Sequence, residues 1–397
     1  MINTRKKDFT PLILLLAMII LWGIMHQWLG GSFFGPTFYN TYTLQALAWR
    51  DGLLHLPCDY PYLELAIFEG EFYVSFPPLP SVILFPFTFL FGNQTPDNLL
   101  VKLYAAAACL MMYVSLRRAG YSRLSGGLFS FLFCFASSLL PLTLNGAVWY
   151  HAQVLAFFLI TAAICLLSMD LPAPALLCYA LSVACRPFHA MYALPLFFVY
   201  WRLNQQAGLP IKTTARALLP GVILGLCVAA GLALYNFVRF GNPLEFGHNY
   251  LPEFSFQGGI QFSVHHVLNN LKTFLWGLPL EISNGAIAFK KFGYSMLIAC
   301  PMLLLMIIYA IRDLIKKQMT WAKVVVMLSC FIHAFLLLLH RTFGGFQLGA
   351  RYAVDLMPYA YFYLLISPEK KKLSIAEGIF LFLIFCFTLW GCSQVHI

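Results

Sequence analysis

Apolar runs of about 20 residues, broken by short polar links, recur along the chain; a helix of that length crosses the ~30 Å of bilayer hydrocarbon. The pattern predicts spans at roughly 11–31, 98–116, 124–143, 151–169, 172–187, 188–203, 216–238, 293–312, 321–340, 352–367 and 373–393. The pair 172–187 and 188–203 is short and meets at Arg186-Pro187, which suits tilted or broken helices. A further apolar run, 78–92, opens on Phe76-Pro77-Pro78-Leu79-Pro80. The expected fold is an all-α polytopic membrane protein with about 11–12 transmembrane helices, one transmembrane domain over 1–397.

Composition agrees. Of 397 residues 61% are hydrophobic and 10% charged, whereas a water-facing surface uses about 25% charged residues. Soluble enzymes and secreted modules are excluded. The net charge of +10 reads as topology, because the basic runs abut apolar segments: Arg5-Lys6-Lys7, Arg117-Arg118 with Arg123, Arg202 to Arg216, Arg312 to Lys323, and Lys370-Lys371-Lys372. No nucleic acid is expected. The first apolar run lacks a small-residue cleavage site and reads as an uncleaved span. With a cytoplasmic N-terminus, nearly all basic runs fall inside. A full crossing at 78–92 would put Arg117, Arg118 and Arg123 outside, so that segment is expected to be re-entrant or a short span. The cysteines are scattered, mostly in apolar runs, with neither metal spacing nor a disulfide framework.

Two long polar stretches, 32–77 and 239–292, then share the outer face. In the first, apolar spacing predicts a short amphipathic helix between Tyr42 and Trp49, ended at Gly52, and a second from Tyr62 to Phe68. Asp51, Asp59 and Glu64 lie among apolar groups there, whereas Glu69 and Glu71 flank a turn. Desolvation raises a carboxylate's pKa and tunes it as a general base, so the first three are candidate catalytic residues. Asn242-Pro243 predicts a turn that leaves Arg239 and Glu245 on a tight structure at the end of a span. Arg351 and Asp355 are four residues apart, one face of a helix, and read either as a locking ion pair or as an arginine oriented to grip phosphate. Arg341, Arg186 and His151 lie at the same level as further candidate phosphate or substrate contacts. His265-His266 lacks spaced carboxylates and is not read as a metal site. No Walker loop, Rossmann glycine set, HExxH or GxSxG occurs.

The order of parts over about 35–120 resembles the N-terminal module of GT-C-type membrane glycosyltransferases, in the branch of protein mannosyltransferases and the lipid A aminoarabinose transferase. The carrying residues are the helix from Tyr42 to Gly52, Leu56-Pro57, Glu69-Gly70-Glu71-Phe72-Tyr73, the Pro-Pro-Leu step, and Arg117-Arg118. Arg239-Phe240-Gly241-Asn242-Pro243 and Gly349-Ala350-Arg351-Tyr352, with Asp355 and Pro358, look like segments of uncharacterised bacterial members. The resemblance implies a multispan helical fold in a bacterial cytoplasmic membrane, with its site facing outward. It further implies a polyprenyl-phosphate-sugar donor, a carboxylate base, and a cell-envelope glycan, lipid or protein as acceptor. Two positions depart from the pattern: Tyr39-Asn40 stands where the acidic pair belongs, and Phe76 replaces the lysine before Pro-Pro. Asp51, Asp59 or Glu64 would then supply the base. Membrane lipids are the other partners, no cofactor is implied, and a divalent metal stays open. Two competing classes are a lipid-linked sugar flippase and a non-catalytic lipid-binding or assembly protein on the same scaffold. A transporter would place ionisable groups mid-span, where His333 is the clearest.

Overall fold

The computed structural model describes residues 7–255, 261–283, 285–341, 344–367 and 371–395. Arg5, Lys6 and Lys370 of the basic runs lie outside the described residues. Helices follow in the order α1 (Thr10–Leu29), α2 (Thr41–Arg50), α3 (Leu79–Phe91), α4 (Asp97–Arg118), α5 (Arg123–Phe135), α6 (Leu139–Leu142), α7 (Val148–Ser168), α8 (Pro172–Val183), α9 (Ala193–Gln206) and α10 (Ile211–Phe240). Then come α11 (Pro252–Ser255), α12 (Val267–Trp276), α13 (Met296–Ala299), α14 (Pro301–Ile315), α15 (Trp321–Leu338), α16 (Met357–Leu365) and α17 (Ile375–Gln394). Two antiparallel hairpins interrupt them, β1 (Leu65–Phe68) with β2 (Glu71–Val74), and β3 (Leu280–Ser283) with β4 (Ala286–Phe289).

Among the described residues six helices are long and apolar enough to cross a bilayer: α1, α4, α7, α10, α15 and α17. The other expected spans are shorter helices or broken pairs. The α3 helix has 13 residues, a rise of about 20 Å, less than the hydrocarbon thickness. Central α7 packs on α4 and α8 and is buried on nearly every face. Peripheral α10 exposes Leu219, Ile223, Leu226 and Leu234; apolar side chains around a whole helix suit a lipid-facing position. This is an integral membrane protein. One buried charge inside the fold is paired: Asp313, fully buried, takes hydrogen bonds from Lys323 Nζ at 2.8 Å and Tyr363 Oη at 2.8 Å.

The segment Tyr62–Phe68 is not a helix. Its end forms β1, paired Leu65 to Val74 and Phe68 to Glu71. Only two residues, Glu69 and Gly70, link the strands, with φ of +52° and +84°; positive φ at both central residues is the hairpin turn whose twist matches its strands. Leu65 and Val74 pack with Leu56 and Ala48 in a small core against α2. Burial of that strand pair overrides a helical spacing only seven residues long. A Cβ at Gly70 would meet nothing within 4 Å, so Gly70→Ala is expected to cost about 1–2 kcal/mol through backbone conformation alone. The check is a lowered unfolding temperature of the purified protein in detergent. Within 239–292, α12 and the β3–β4 hairpin went unread, although Asn284-Gly285 is a hairpin signal.

Candidate functional site

The polar segments converge at one end of the bundle. The hairpin runs through Ser75 and Phe76 into Pro77-Pro78, and Pro78, with φ of −82° and ψ of −5°, starts the turn into α3. From the next wall comes Trp149 in the first turn of α7, anchored where Val148 N–H donates to the Tyr39 carbonyl at 3.1 Å. The α8 helix stops at Val183, and Arg186 takes extended φ and ψ of −140° and 98° before Pro187. That break, followed by a 3-10 helix over Pro187–Tyr192, delivers the Arg186 side chain to the cleft instead of continuing a span. Beyond α10, the Asn242 carbonyl and side chain accept from Glu245 N–H and Leu244 N–H at 3.2 and 3.0 Å. The Glu245 carboxylate then accepts from Gly247 N–H and Asn249 Nδ2, both at 2.6 Å, which folds His248 inward.

Two adjoining cavities result, of about 360 and 600 Å³. Phe76, Trp149, His248, His340, Arg351 and Tyr352 line both. The smaller adds Tyr42, Val148, Phe188, Phe262 and Leu337 with Arg186 and Glu245, a chiefly apolar chamber with charge at its edge. The larger adds Tyr39, Glu64, Tyr150, Glu253, Arg341 and Gly344 to Phe346.

Of the three candidate acids, Glu64 alone lines a cavity. Its Oε2 accepts a hydrogen bond from Trp149 Nε1 at 2.9 Å. Loss of water around the carboxylate pushes its pKa up, against that hydrogen bond; Glu253 adds to the rise and Arg351 opposes it. Solvent still reaches the side chain at the cavity mouth. Asp51 and Asp59 are exposed and line neither cavity.

Arg351 and Asp355 do not pair. Residues Arg351–Leu356 form a 3-10 helix, where three residues per turn leave positions four apart about 120° out of line. Asp355, 1% exposed, instead accepts from Arg186 Nε at 3.0 Å and Nη2 at 2.6 Å, and from Gln153 Nε2 at 2.9 Å. Arg351, 6% exposed, makes no ion pair among the described residues; its guanidinium lies 5.1 Å from the Tyr352 ring centre and 5.7 Å from that of Tyr150, and its buried Nε meets no hydrogen-bond partner among them. Arg341 also lines the larger cavity. Two other candidates stand apart. Arg239 donates to the Val74 carbonyl at 2.9 Å and Asn236 Oδ1 at 3.0 Å, tying the hairpin to α10 outside both cavities. His151 is buried between Tyr42 and Tyr104 and likewise lines neither.

His248 carries no sequence signal and was missed, with Trp149, His340 and Tyr352. Burial lowers the His248 pKa and favours the neutral ring, which sits edge-on to Phe76 at 5.7 Å. Among the described residues no group of three or more His, Cys, Asp or Glu side chains is placed to share a metal ion.

No family model and no curated protein matches the chain. Solved structures do. The Archaeoglobus fulgidus oligosaccharyltransferase in its apo form aligns with a TM-score of 0.53 at 13% identity, over 98% of this chain and 56% of that one. ArnT from Cupriavidus metallidurans bound to undecaprenyl phosphate aligns with a TM-score of 0.56 at 12% identity, over 95% of this chain and 63% of that one. Apo ArnT from the same organism gives 0.52 at 12% identity, over 97% and 77%. The chain thus spans more than half, and less than two thirds, of the length of the first two. Likeness at such identity is a likeness of fold, and the chain has a GT-C-like fold.

Proposed function

We propose that this protein transfers a sugar from a polyprenyl-phosphate-linked donor to an acceptor hydroxyl of the cell envelope. The reaction would take place at the outward face of a bacterial cytoplasmic membrane, with 78–92 dipping in from that side. One observation carries the reading. A carboxylate at the cavity mouth, Glu64, and a guanidinium that makes no ion pair among the described residues, Arg351, line one cavity that adjoins an apolar chamber in a GT-C-like fold. Glu64 accepts the proton of the acceptor hydroxyl as its oxygen forms the bond to the sugar's anomeric carbon. The bond from that carbon to the phosphate oxygen breaks, its electron pair leaves with the lipid phosphate, and Arg351 stabilises the added charge. Low polarity strengthens that attraction. In-line attack inverts the anomeric centre, and no nucleotide takes part. The chamber lined by Phe188, Phe262 and Leu337 takes the first isoprene units.

Mass spectrometry of lipids that co-purify in mild detergent tests this. A polyprenyl-phosphate sugar, or its phosphate product, is the expected result; ordinary phospholipid alone overturns it. Tyr39 and Asn40 at the family's acidic positions favour a second reading, lipid-phosphate binding without transfer. It differs in one outcome, since no sugar would then leave the bound lipid.

A further inference from the structure

The β3–β4 hairpin leaves part of its apolar face uncovered. Its register pairs Leu280 with Phe289 and Ile282 with Ile287, and alternate strand positions share a face. On that face Phe289 is buried against α17, its ring centre 4.9 Å from that of Phe387 and 4.8 Å from that of Trp390. Toward the tip the same face continues with Ile282, 83% exposed, and Ile287, 65% exposed. Trp276 and Leu278, just before the hairpin, are exposed as well. Two strands alone are marginal in water, and adjoining exposed apolar side chains mark a contact surface.

Contact with α17 says what that surface meets. The 20 residues of α17 rise about 30 Å, the thickness of bilayer hydrocarbon. Phe387 stands seven residues before the end of α17 at Gln394, about 10 Å along the axis. The Phe289 end of the hairpin therefore lies beside the membrane and not above it, at the depth of interfacial elements. A two-stranded sheet has two open edges, which hydrocarbon excludes. The tip thus belongs at the boundary of headgroups and chains. Charge agrees: between Gln261 and Ser295, Lys272, Lys290 and Lys291 stand against one acid, Glu281, and basic groups beside apolar ones suit an anionic lipid surface. The root of the hairpin reaches the cleft. There Gln347 N–H donates to the Lys291 carbonyl at 2.8 Å, and the Phe292 ring lies 6.3 Å from that of Phe346, in the wall of the larger cavity.

We propose that the β3–β4 hairpin is an interfacial anchor: Ile282 and Ile287 seat in the lipid leaflet on the cleft side of the membrane, and Lys290 and Lys291 favour anionic headgroups there. Seated so, its root fixes the Phe346 wall of the larger cavity. A protein partner fits less well, because the same face is committed at Phe289 to a helix that exposes Ile379, Phe382 and Leu383, as a lipid-facing span does. The anchor does not depend on the transfer reading.

The test uses the full-length protein in nanodiscs, with acyl-chain-brominated lipids and acrylamide as quenchers. Ile282→Trp, read as the fluorescence it adds to wild type, is expected to lose most of that added intensity to brominated phosphatidylcholine and little to acrylamide. Quenching by acrylamide that equals or exceeds quenching by the lipid places the tip in water and overturns the anchor. Quenching by neither places it under protein, a second copy or a partner, and overturns it equally. At equal mole fraction, brominated phosphatidylglycerol is expected to quench more than the choline lipid, and Lys290→Gln with Lys291→Gln to erase that difference. Equal quenching with both lysines in place overturns the charge preference. Ile282→Asp with Ile287→Asp reads the link to the cleft by hydrogen exchange in the same nanodiscs. The Gln347 N–H is expected to exchange about tenfold faster or more, because local opening frees its bond to Lys291; an unchanged rate overturns that link. Both side chains are exposed, so the unfolding temperature in detergent should hold, which separates a lost anchor from a lost fold. Neither readout needs turnover, so failure of the anchor leaves transfer standing, and failure of transfer leaves the anchor.

Discussion

Glu64→Gln is expected to lower sugar transfer by about 10²–10⁴-fold, the usual contribution of a positioned general base. The amide keeps the size of the side chain and still presents an oxygen to Trp149 Nε1, 2.9 Å away. What disappears is the ability to take a proton. Asp51→Asn and Asp59→Asn should leave the rate unchanged, because both side chains are exposed outside the cavities. A pH profile supplies an independent readout. The active form is the carboxylate, and desolvation raises its pKa, so the rate should climb with pH through a midpoint above the ordinary glutamate value of about 4.3. Glu253→Gln removes a like charge that contributes to the rise and should move that midpoint to lower pH. The measurement is steady-state transfer from a polyprenyl-phosphate sugar at saturating donor. Full activity in Glu64→Gln would place the base elsewhere.

The membrane fold is legible in the sequence because its cause is local: a run of about 20 apolar residues has few other stable fates. The broken pair at Arg186-Pro187 is legible for the same reason, since proline constrains its predecessor. The hairpin at Leu65–Val74 is not, because seven residues fit helix and strand alike and a distant surface on α2 decides. Site residues divide in the same way. Glu64 could be named as one of three acids, but only the approach of Trp149, 85 positions away, separates it from Asp51 and Asp59. Asp355 finds its partner 169 positions away in Arg186, whereas a four-residue spacing pointed to Arg351. That inference assumed α-helical winding, and the 3-10 turn at Arg351–Leu356 removes its basis. His248 has no local signature, because its place depends on how Glu245 folds the turn around it.

The Arg186–Asp355 pair supports the second large expectation, a change with opposite signs in two measurements. Asp355 is 1% exposed and receives both Arg186 donors on one oxygen, with Gln153 on the other. Removing one partner of a buried pair strands the other's charge, at about 3–5 kcal/mol. Arg186 retains 22% side-chain exposure on the cleft side, where water recovers part of that cost, so Asp355→Asn is expected near the lower end, about 3 kcal/mol. Unfolding in detergent should show the loss. Affinity for undecaprenyl phosphate should move the other way: the freed guanidinium lines the smaller cavity and adds a cation to those that Arg351 and Arg341 bring to the adjoining one. Replacing both residues by apolar ones, Arg186→Met with Asp355→Leu, should restore most of the stability, because well-packed apolar side chains replace buried ion pairs at little cost. It should not raise anion affinity. A stability loss without tighter phosphate binding in Asp355→Asn would mean that Arg186 stays turned from the cleft once released, and would confine anion recognition to Arg351 and its neighbours.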